Sequence, residues 1–213
     1  MPTEKSVPRH LRRYTDLPAL LRILSTRTLT LLDPKTWDDR NDTFYMSQYK
    51  ERKELASLLA LCFSQADETY HHWHVFSKGA SGVCIVFKQD ALLAHLDQFE
   101  GVTARKVLYR NTVQLGHQGL KIADLPFRKR SAFKAEEELR VIYESATEAY
   151  PVLDVPIELA HIHRISLSPW LHPNLADATK EVIRSIDGCE TLAVYRSTLI
   201  SNERWRGFGK NAT

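Results

Sequence analysis

The most restrictive feature of the sequence is an uninterrupted apolar run from Leu58 to Phe63, which ends at Ser64. A run without polar alternation is typical of a strand that is buried on both faces, so the sheet that contains it needs cover on both sides. A membrane-spanning helix needs about 18 apolar residues, and this run, the longest in the chain, falls far short of that. We therefore expect a soluble protein that makes no contact with a membrane.

Other strand and helix candidates surround this run. Strands are predicted to end near Thr15 and to lie at 28–32, 79–87, 102–110, 138–145, 163–168 and 191–197. Helices are predicted directly after Thr15, at 48–57, within 66–77, at 89–96 and at 172–186. Strands outnumber helices and do not alternate strictly with them, which favours α+β over a doubly wound sheet. The predicted fold is a single compact α+β domain with a mixed, largely antiparallel sheet flanked by helices.

The length of the chain suits one domain. It has 213 residues, and single domains usually contain about 100–200. No internal repeat and no linker rich in Pro, Gly or Ser divides it. We predict a flexible N-terminal arm at 1–10, a single α+β domain at 11–204 and a basic C-terminal tail at 205–213.

Charge and cysteine content narrow the function classes. The 29 Lys and Arg residues and 26 Asp and Glu residues give a net charge of +3, too small to imply nucleic-acid binding by itself. Basic islands at 9–13, 127–130 and 202–210 are best interpreted as solvated loops and ends.

Three widely spaced cysteines predict no disulfide framework, and no apolar segment follows the basic start as in a secretory signal. We expect a cytoplasmic protein.

The first of four polar clusters lies at the end of the first predicted strand. Arg13 could hold a phosphate or carboxylate through two hydrogen bonds, with Tyr14 and Thr15 beside it. The alternative is structural, because Thr15 or Asp16 can cap the helix that follows. Standard catalytic signatures, such as a P-loop or an HExxH helix, are absent from the chain.

Two further clusters raise the question of a metal. Asp38, Asp39 and Asp42 could bind Mg²⁺, but an Asx-turn loop is favoured because the spacing is not that of a calcium loop. The run of residues 70–74 contains three histidines, but nothing nearby completes a tetrahedral zinc site. We therefore expect no metal.

The same run makes a better pocket wall than a zinc site. Tyr70 and Trp73 offer flat faces for a base or a nicotinamide ring, and His72 or His74 could donate a hydrogen bond to phosphate. An aromatic stripe in the core is the competing interpretation.

The fourth cluster lies in the run FKAEEELRVIYE. If a strand begins near Ala135, then Glu136, Glu138 and Arg140 lie on one face of it, because side chains alternate along a strand. Two carboxylates beside a guanidinium can polarise a hydroxyl or stabilise a positive transition state. The alternative is a structural ion pair.

Several motifs together resemble the bacterial domain-of-unknown-function family 2971. They are RYT at 13–15, TWDDRND, LCFSQ, the block from YHHWHVFS to GASGVCIVF, FKAEEELR and ISLSPWLHP. The resemblance covers nearly the whole chain, and its most specific parts are the block from Trp73 to Phe87 and the Glu-x-Glu-x-Arg element. The family label names no reaction.

The order of motifs also resembles that of ADP-ribosyltransferases. Arg13, the block from Tyr70 to Ser77, and Glu138 follow the family's order of a first-strand arginine or histidine, a middle aromatic or serine-bearing strand and a late glutamate. The Ser-Thr-Ser motif of that family is absent. The resemblance implies that Arg13 holds NAD, that Trp73 or Tyr70 stacks on nicotinamide, and that Glu138 supports an oxocarbenium-like transition state.

We therefore predict an enzyme that transfers ADP-ribose from NAD or cleaves NAD, in a setting of bacterial conflict or stress response. The predicted catalytic residues are Glu138 and Glu136, and the predicted NAD-binding residues are Arg13, Tyr14, Thr15, Tyr70, Trp73, His74 and Arg140. The acceptor, protein or nucleic acid, stays open. A non-catalytic nucleotide-binding or partner-binding module and an RNA-directed enzyme or binder are the alternatives.

Overall fold

A computed structural model describes residues 9–77, 79–210 and 212 of the chain. Its strands are β1 His10–Asp16, β2 Thr28–Leu32, β3 Ser57–Ser64, β4 Gly82–Lys88, β5 Val102–Lys106, β6 Leu108–Arg110, β7 Arg128–Arg130, β8 Glu138–Ser145, β9 Val152–Pro156, β10 Ile162–Leu167 and β11 Val194–Arg196. Its α-helices are α1 Leu17–Thr26, α2 Arg40–Arg52, α3 Tyr70–Phe76, α4 Gln89–Leu96, α5 Thr112–Gln118, α6 Pro173–Arg184 and α7 Glu203–Lys210. Short 3-10 helices lie at Pro34–Thr36, Gly79–Ser81, Ile122–Phe127, Ser131–Glu136 and Leu159–His161.

Nine strands form one sheet, in which β3 is central. One edge of β3 pairs with β8 along its whole length, and β5 continues the sheet beyond β8. The other edge of β3 is shared, because β1 pairs with it only at Arg12 and Ser64 and β2 only at Leu32 and Ala60. The order β11-β10-β4-β1 extends from β1, and β9 extends from β2. All pairs in this sheet are antiparallel except β10 with β11, and the short strands β6 and β7 form a separate parallel pair. The predicted α+β fold with a mixed, largely antiparallel sheet is confirmed.

Both faces of β3 are covered, as its continuous apolar sequence predicts. Leu59 and Leu61 belong to the main core, to which α1, α4 and α6 also contribute. Leu58 and Ala60 point to the opposite face and pack in a smaller core with residues of α2. A second small core lies around Trp73 of α3. The polar residues discussed below lie on the face of the sheet that α2 and α3 cover.

The helix predicted at 48–57 begins earlier in the structure, at Arg40. Asp39 is the reason: its side chain accepts hydrogen bonds from the backbone N–H groups of Asn41 and Asp42 and caps the helix. The segment expected to be an Asx-turn loop therefore supplies the cap and the first turn of α2. This places Asp42 on the buried side of the helix, with 3% of its surface exposed.

Two of the predicted boundaries concern the ends of the chain. Residues 1–8 of the predicted arm lie outside the described residues, so the arm stays a prediction. Helix α7 crosses the predicted boundary at 204. No described helix is both long and apolar enough to span a membrane.

Candidate functional site

A cavity of about 430 Å³ opens between α2 and α3 on the second face of the sheet. It is lined by residues of β1, β3 and β8, of α2 and α3, and of the segments around 36–39 and 129–136. Among them are Arg12, Arg13, Tyr14, Trp37, Asp38, Asp39, Asp42, Cys62, Ser64, Phe76, Lys129, Phe133, Glu136, Glu138 and Arg140. A cavity of this size is within the range of small-molecule sites.

Arg140 forms the floor of the cavity and is fully buried. Its Nη1 and Nη2 donate to the two carboxylate oxygens of Asp42, at 2.8 and 2.6 Å. Its Nε and Nη2 donate to the two oxygens of Glu138, at 2.7 and 3.1 Å. A guanidinium suits this bridge because its donors form a planar fork that matches two carboxylates. Arg140 therefore fixes α2 against β8.

All five N–H groups of Arg140 are used in this arrangement. The fifth is donated by Nη1 to the carbonyl oxygen of Pro126, at 2.8 Å, and the Trp37 ring lies 4.7 Å above the guanidinium carbon. Arg140 thus has no donor left for a ligand. The expectation that it binds NAD directly is not supported, because its hydrogen bonds orient Glu138 and Asp42 instead.

Lys129 connects a third carboxylate to this floor. Its Nζ lies 2.7 Å from Glu136, 3.3 Å from Glu138 and 3.7 Å from Asp42. Burial alone would lower the pKa of Lys129, but the neighbouring carboxylates raise it above its ordinary value. We call Asp42, Lys129, Glu136, Glu138 and Arg140 the carboxylate cluster.

The predicted common face of Glu136, Glu138 and Arg140 is correct only in part. Strand β8 begins at Glu138, not near Ala135, because Glu136 ends a 3-10 helix and Glu137 has a left-handed backbone with φ of 43°. Glu138 and Arg140 do alternate with Leu139, which faces the main core. Glu136 lines the same cavity from the turn before β8, where it forms an ion pair with Lys129.

The two glutamates have pKa values shifted in opposite directions. Burial would raise the pKa of Glu138, but Arg140 and Lys129 outweigh burial and lower it from 4.5 to about 2. Burial raises the pKa of Glu136, and Lys129 opposes this only in part. Carboxylates that differ in this way are typical of active sites, where one stays ionised and the other can exchange a proton. Glu138 is a permanent negative charge at neutral pH.

The low pKa of Glu138 leads to a prediction about acid stability. A carboxylate with a depressed folded-state pKa stabilises the fold above its unfolded-state pKa, and this contribution is lost as the pH falls through the folded value. The shift corresponds to about 3 kcal/mol. We expect the free energy of unfolding, measured by urea titration, to fall between about pH 5 and pH 2. Protonation of Glu136, whose pKa is raised, offsets part of the loss.

The controls for this prediction are two glutamine variants. Glu138→Gln should have a flatter pH dependence than the wild type over the same interval. Glu137→Gln should follow the wild type, because Glu137 is exposed. If Glu138→Gln keeps the full acid dependence of the wild type, the ionised state of Glu138 is not what stabilises the fold.

Two arginines of β1 form another wall of the cavity. Arg12 donates to the Ala66 carbonyl oxygen and to Asp67, both at 2.7 Å. Within the described residues, Arg13 donates one hydrogen bond, from Nη1 to the Cys62 carbonyl oxygen at 3.1 Å, and forms no salt bridge. Arg13 therefore keeps N–H groups that can bind an anion.

The buried Arg12 Nε and Asp39 Oδ2 also have no hydrogen-bond partner among the described residues. Unsatisfied polar atoms beside a cavity suggest a polar ligand.

Ser64 and His72 lie in contact at the edge of the cavity, but they do not form an activated nucleophile. Ser64 Oγ donates to the Glu136 carbonyl oxygen at 2.7 Å and lies 3.2 Å from His72 Nε2. Because the hydroxyl proton is used on the carbonyl, His72 acts as the donor to Ser64. Burial lowers the pKa of His72, so its neutral form is favoured. The pair holds the turn at Glu136 against β3.

The predicted ring-stacking residues do not line the cavity. Trp73 is fully buried, and its Nε1 donates to Glu68 at 2.7 Å. Tyr70 and His74 lie on the opposite face of α3 from Phe76 and pack against Trp170. The structure therefore does not bring the rings of Trp73 and Tyr70 to this cavity. The aromatic core interpretation holds for Trp73.

Thr15 also lies outside the cavity, and Asp16 caps α1. Other aromatic residues take the place expected for Trp73 and Tyr70. The rings beside the cavity are those of Trp37, Phe76 and Phe133, with Tyr14 deeper in the wall. Trp37 belongs to the motif TWDDRND, but neither it nor the two phenylalanines was predicted as a site residue. The signal that could have indicated them is their position in the sequence: Phe76 ends the aromatic run of α3, and Phe133 comes just before the glutamates.

Cysteines and metal-ligating groups add little to this site. The three cysteines are free; Cys84 and Cys189 are buried, and Cys62 is half-buried at the cavity. Burial and nearby Glu138 raise the pKa of the Cys62 thiol well above its ordinary value. Across the described ranges, no group of three or more His, Cys, Asp or Glu side chains is placed to hold a metal ion.

Comparisons with known proteins give one kind of match. No protein-family model and no curated protein matches the sequence, so the resemblance to family 2971 is not confirmed. A solved structure of Thermus sp. 2.9 DarT in complex with NAD+ is similar at a TM-score of 0.45 and 11% identity, over 89% of this chain and 96% of that chain. DarT of the same source with carba-NAD+ gives a TM-score of 0.44 and 11% identity, over 92% of this chain and 97% of that chain. The function proposed below rests on the geometry of the cavity.

Proposed function

We propose that this protein cleaves the bond between nicotinamide and ribose in NAD and transfers the ADP-ribose group to an acceptor. The observation that carries the proposal is Glu138, a buried carboxylate that is ionised at neutral pH and held at the cavity through both oxygens by Arg140. A fixed negative charge of this kind suits a reaction in which positive charge develops on the substrate. A setting in bacterial conflict or stress response is part of the proposal.

The chemistry needs little beyond this charge. The bond between the ribose carbon and the nicotinamide nitrogen breaks, and its electron pair leaves with nicotinamide, which becomes neutral. The ribose carbon becomes positively charged, and a carboxylate fixed beside it stabilises the transition state more than the ground state. The acceptor then donates an electron pair to the carbon and loses a proton. Water as acceptor gives hydrolysis of NAD.

Other residues of the cavity suit the remaining parts of NAD. Arg13 has N–H groups available for the pyrophosphate, and a guanidinium binds phosphate oxygens in pairs. The rings of Trp37, Phe76 and Phe133 offer faces for the nicotinamide or adenine ring. We assign Glu136 the role of accepting the proton that the acceptor loses. Its pKa is raised, and it shares the ammonium group of Lys129 with Glu138.

The proposal is tested by measuring nicotinamide release from NAD, alone and with cell extract. Binding is measured separately by calorimetric titration with carba-NAD, whose carbocyclic ring cannot form the oxocarbenium ion. Binding with turnover supports the proposal. Binding of carba-NAD without turnover in any extract favours a non-catalytic nucleotide-binding module. Folded protein that binds neither ligand refutes the NAD proposal.

Replacing Arg13 with alanine is expected to weaken NAD binding about tenfold or more, because a charge-assisted contact to the pyrophosphate is lost. Turnover at saturating NAD should change much less than affinity. Arg22→Ala is the control, since Arg22 is an exposed arginine of α1 paired with Asp154. Equal affinities of the Arg13→Ala protein and the wild type would remove Arg13 from the binding site.

The RNA-directed alternative has less support than the NAD proposal. Of the predicted basic islands, Arg12 and Arg13 line the cavity, and Lys129 belongs to the carboxylate cluster. Arg128 is paired with Asp124. These four side chains therefore contribute to the cavity or to ion pairs, whereas the basic residues of the island at 202–210 are exposed.

A further inference from the structure

The carboxylate cluster contains an unequal number of charges. It has three carboxylates, Asp42, Glu136 and Glu138, but only two cations, Lys129 and Arg140. The three carboxylate residues expose 8% or less of their surface, and Arg140 exposes none. A buried charge without a partner is costly, so the excess negative charge must be met by a proton or by a cation.

The excess falls on Glu136. Asp42 and Glu138 each receive two hydrogen bonds from Arg140. Glu136 is paired with Lys129 alone, at 2.7 Å, and Lys129 is shared with both other carboxylates. Glu136 is therefore the least compensated member of the cluster.

Neighbouring groups do not remove this excess. The other titratable or charged groups around Glu136 and the cavity are Tyr109 of β6, His72 of α3, Cys62 of β3, Arg12 and Arg13 of β1, and Asp38 and Asp39 before α2. Tyr109, His72 and Cys62 are neutral in their ordinary states, and Arg12 is paired with Asp67. Arg13 makes no salt bridge with the cluster in the described residues. The two aspartates add negative charge.

We propose that the carboxylate cluster selects a positively charged ring over its neutral counterpart, and that Glu136 determines this selectivity. The inference rests on the proposed function, in which the ring is the nicotinamide of NAD+. In the free protein, the excess negative charge favours the protonated form of Glu136. A cationic ring that binds beside it favours the ionised form instead, so the protonated fraction of Glu136 releases its proton to solvent and the ring compensates the charge.

Two ligand pairs of matched shape test the selectivity. NAD+ and NADH differ by the charge of the ring, and so do 1-methylnicotinamide and nicotinamide. Calorimetry should give at least about tenfold tighter binding of NAD+ than of NADH, the scale of a partly screened charge pair. NMR titration should show that 1-methylnicotinamide binds in the cavity and that nicotinamide binds there more weakly. Glu136→Gln should reduce both preferences to near unity, whereas Glu137→Gln should keep them.

The proton is measured independently of the variants. Carboxyl ¹³C NMR of the free protein should give Glu136 a titration midpoint above the ordinary glutamate value. Calorimetry at that midpoint, in two buffers of different ionisation enthalpy, should show proton release on NAD+ binding and none on NADH binding. Glu136→Asp keeps the carboxylate and should therefore keep both preferences, and if Glu136→Gln does not fold, the proton release of the wild type decides the inference.

The outcomes separate this inference from the proposed function. Equal affinity for NAD+ and NADH, or no proton release, overturns the inference while leaving NAD turnover intact. If neither dinucleotide binds folded protein, the NAD proposal fails, and the comparison of 1-methylnicotinamide with nicotinamide decides the inference alone. Equal or absent binding of that pair then overturns it.

Discussion

Replacing Glu138 with glutamine is expected to lower nicotinamide release from NAD about a hundredfold or more, the usual scale for one electrostatic group that acts in the transition state. Carba-NAD binding should be retained, because the loss concerns the charge that develops during bond cleavage. The measurements are steady-state nicotinamide release and calorimetric titration. The effect is large because the carboxylate is buried and its orientation is fixed by Arg140.

Glu137→Gln is the matched control for this experiment. The substitution is chemically identical and one residue away, but Glu137 is exposed and lies outside the cavity lining. Its activity should equal that of the wild type. A folded Glu138→Gln protein with undiminished turnover would show that another group carries the chemistry.

Replacing Arg140 with methionine is expected to destabilise the fold by about 3–5 kcal/mol, because three buried carboxylates would then share Lys129 alone. For a chain of this length the melting temperature should fall by roughly 10 °C. The loss should be smaller at acidic pH, since protonation of the carboxylates removes the unpaired charge. Thermal and urea unfolding of the variant and the wild type measure both effects.

Arg22→Met serves as the control for Arg140→Met. Arg22 also forms a salt bridge, to Asp154 at 2.7 Å, but both side chains are well exposed. Exposed ion pairs contribute about 0–1 kcal/mol, so this variant should unfold close to the wild type. If both variants lose the same stability, burial of the carboxylate cluster does not add to the strength of its ion pairs.

Much of the fold could be predicted because local patterns and tertiary packing agree. The apolar run of β3 fits a strand covered on both faces, and ELRVIYES at 138–145 matches β8. The start of α2 was missed because its capping residue lies in a polar segment that favours turns equally well. Strand β9 was missed because it is a short edge strand that pairs only with β2.

The sequence by itself determined which residue types reach the cavity from β1 and β8. Alternation along a strand places Glu138 and Arg140 together, and the order of motifs selected Arg13 and Glu138. The alternation needs only local geometry, whereas the choice of Arg13 and Glu138 is what the resemblance to ADP-ribosyltransferases implies. They did not require knowledge of what packs against either strand.

Only the tertiary structure decided the partners of those residues. Asp42 reaches Arg140 across 98 positions of sequence, and Lys129 joins the same cluster from β7. Burial then decided which aromatic residues reach the cavity. Trp73 is enclosed by the second small core, whereas Phe76, three residues later, borders the cavity. The physical reason is that ion pairing and burial depend on distances between segments, which no local pattern of side chains encodes.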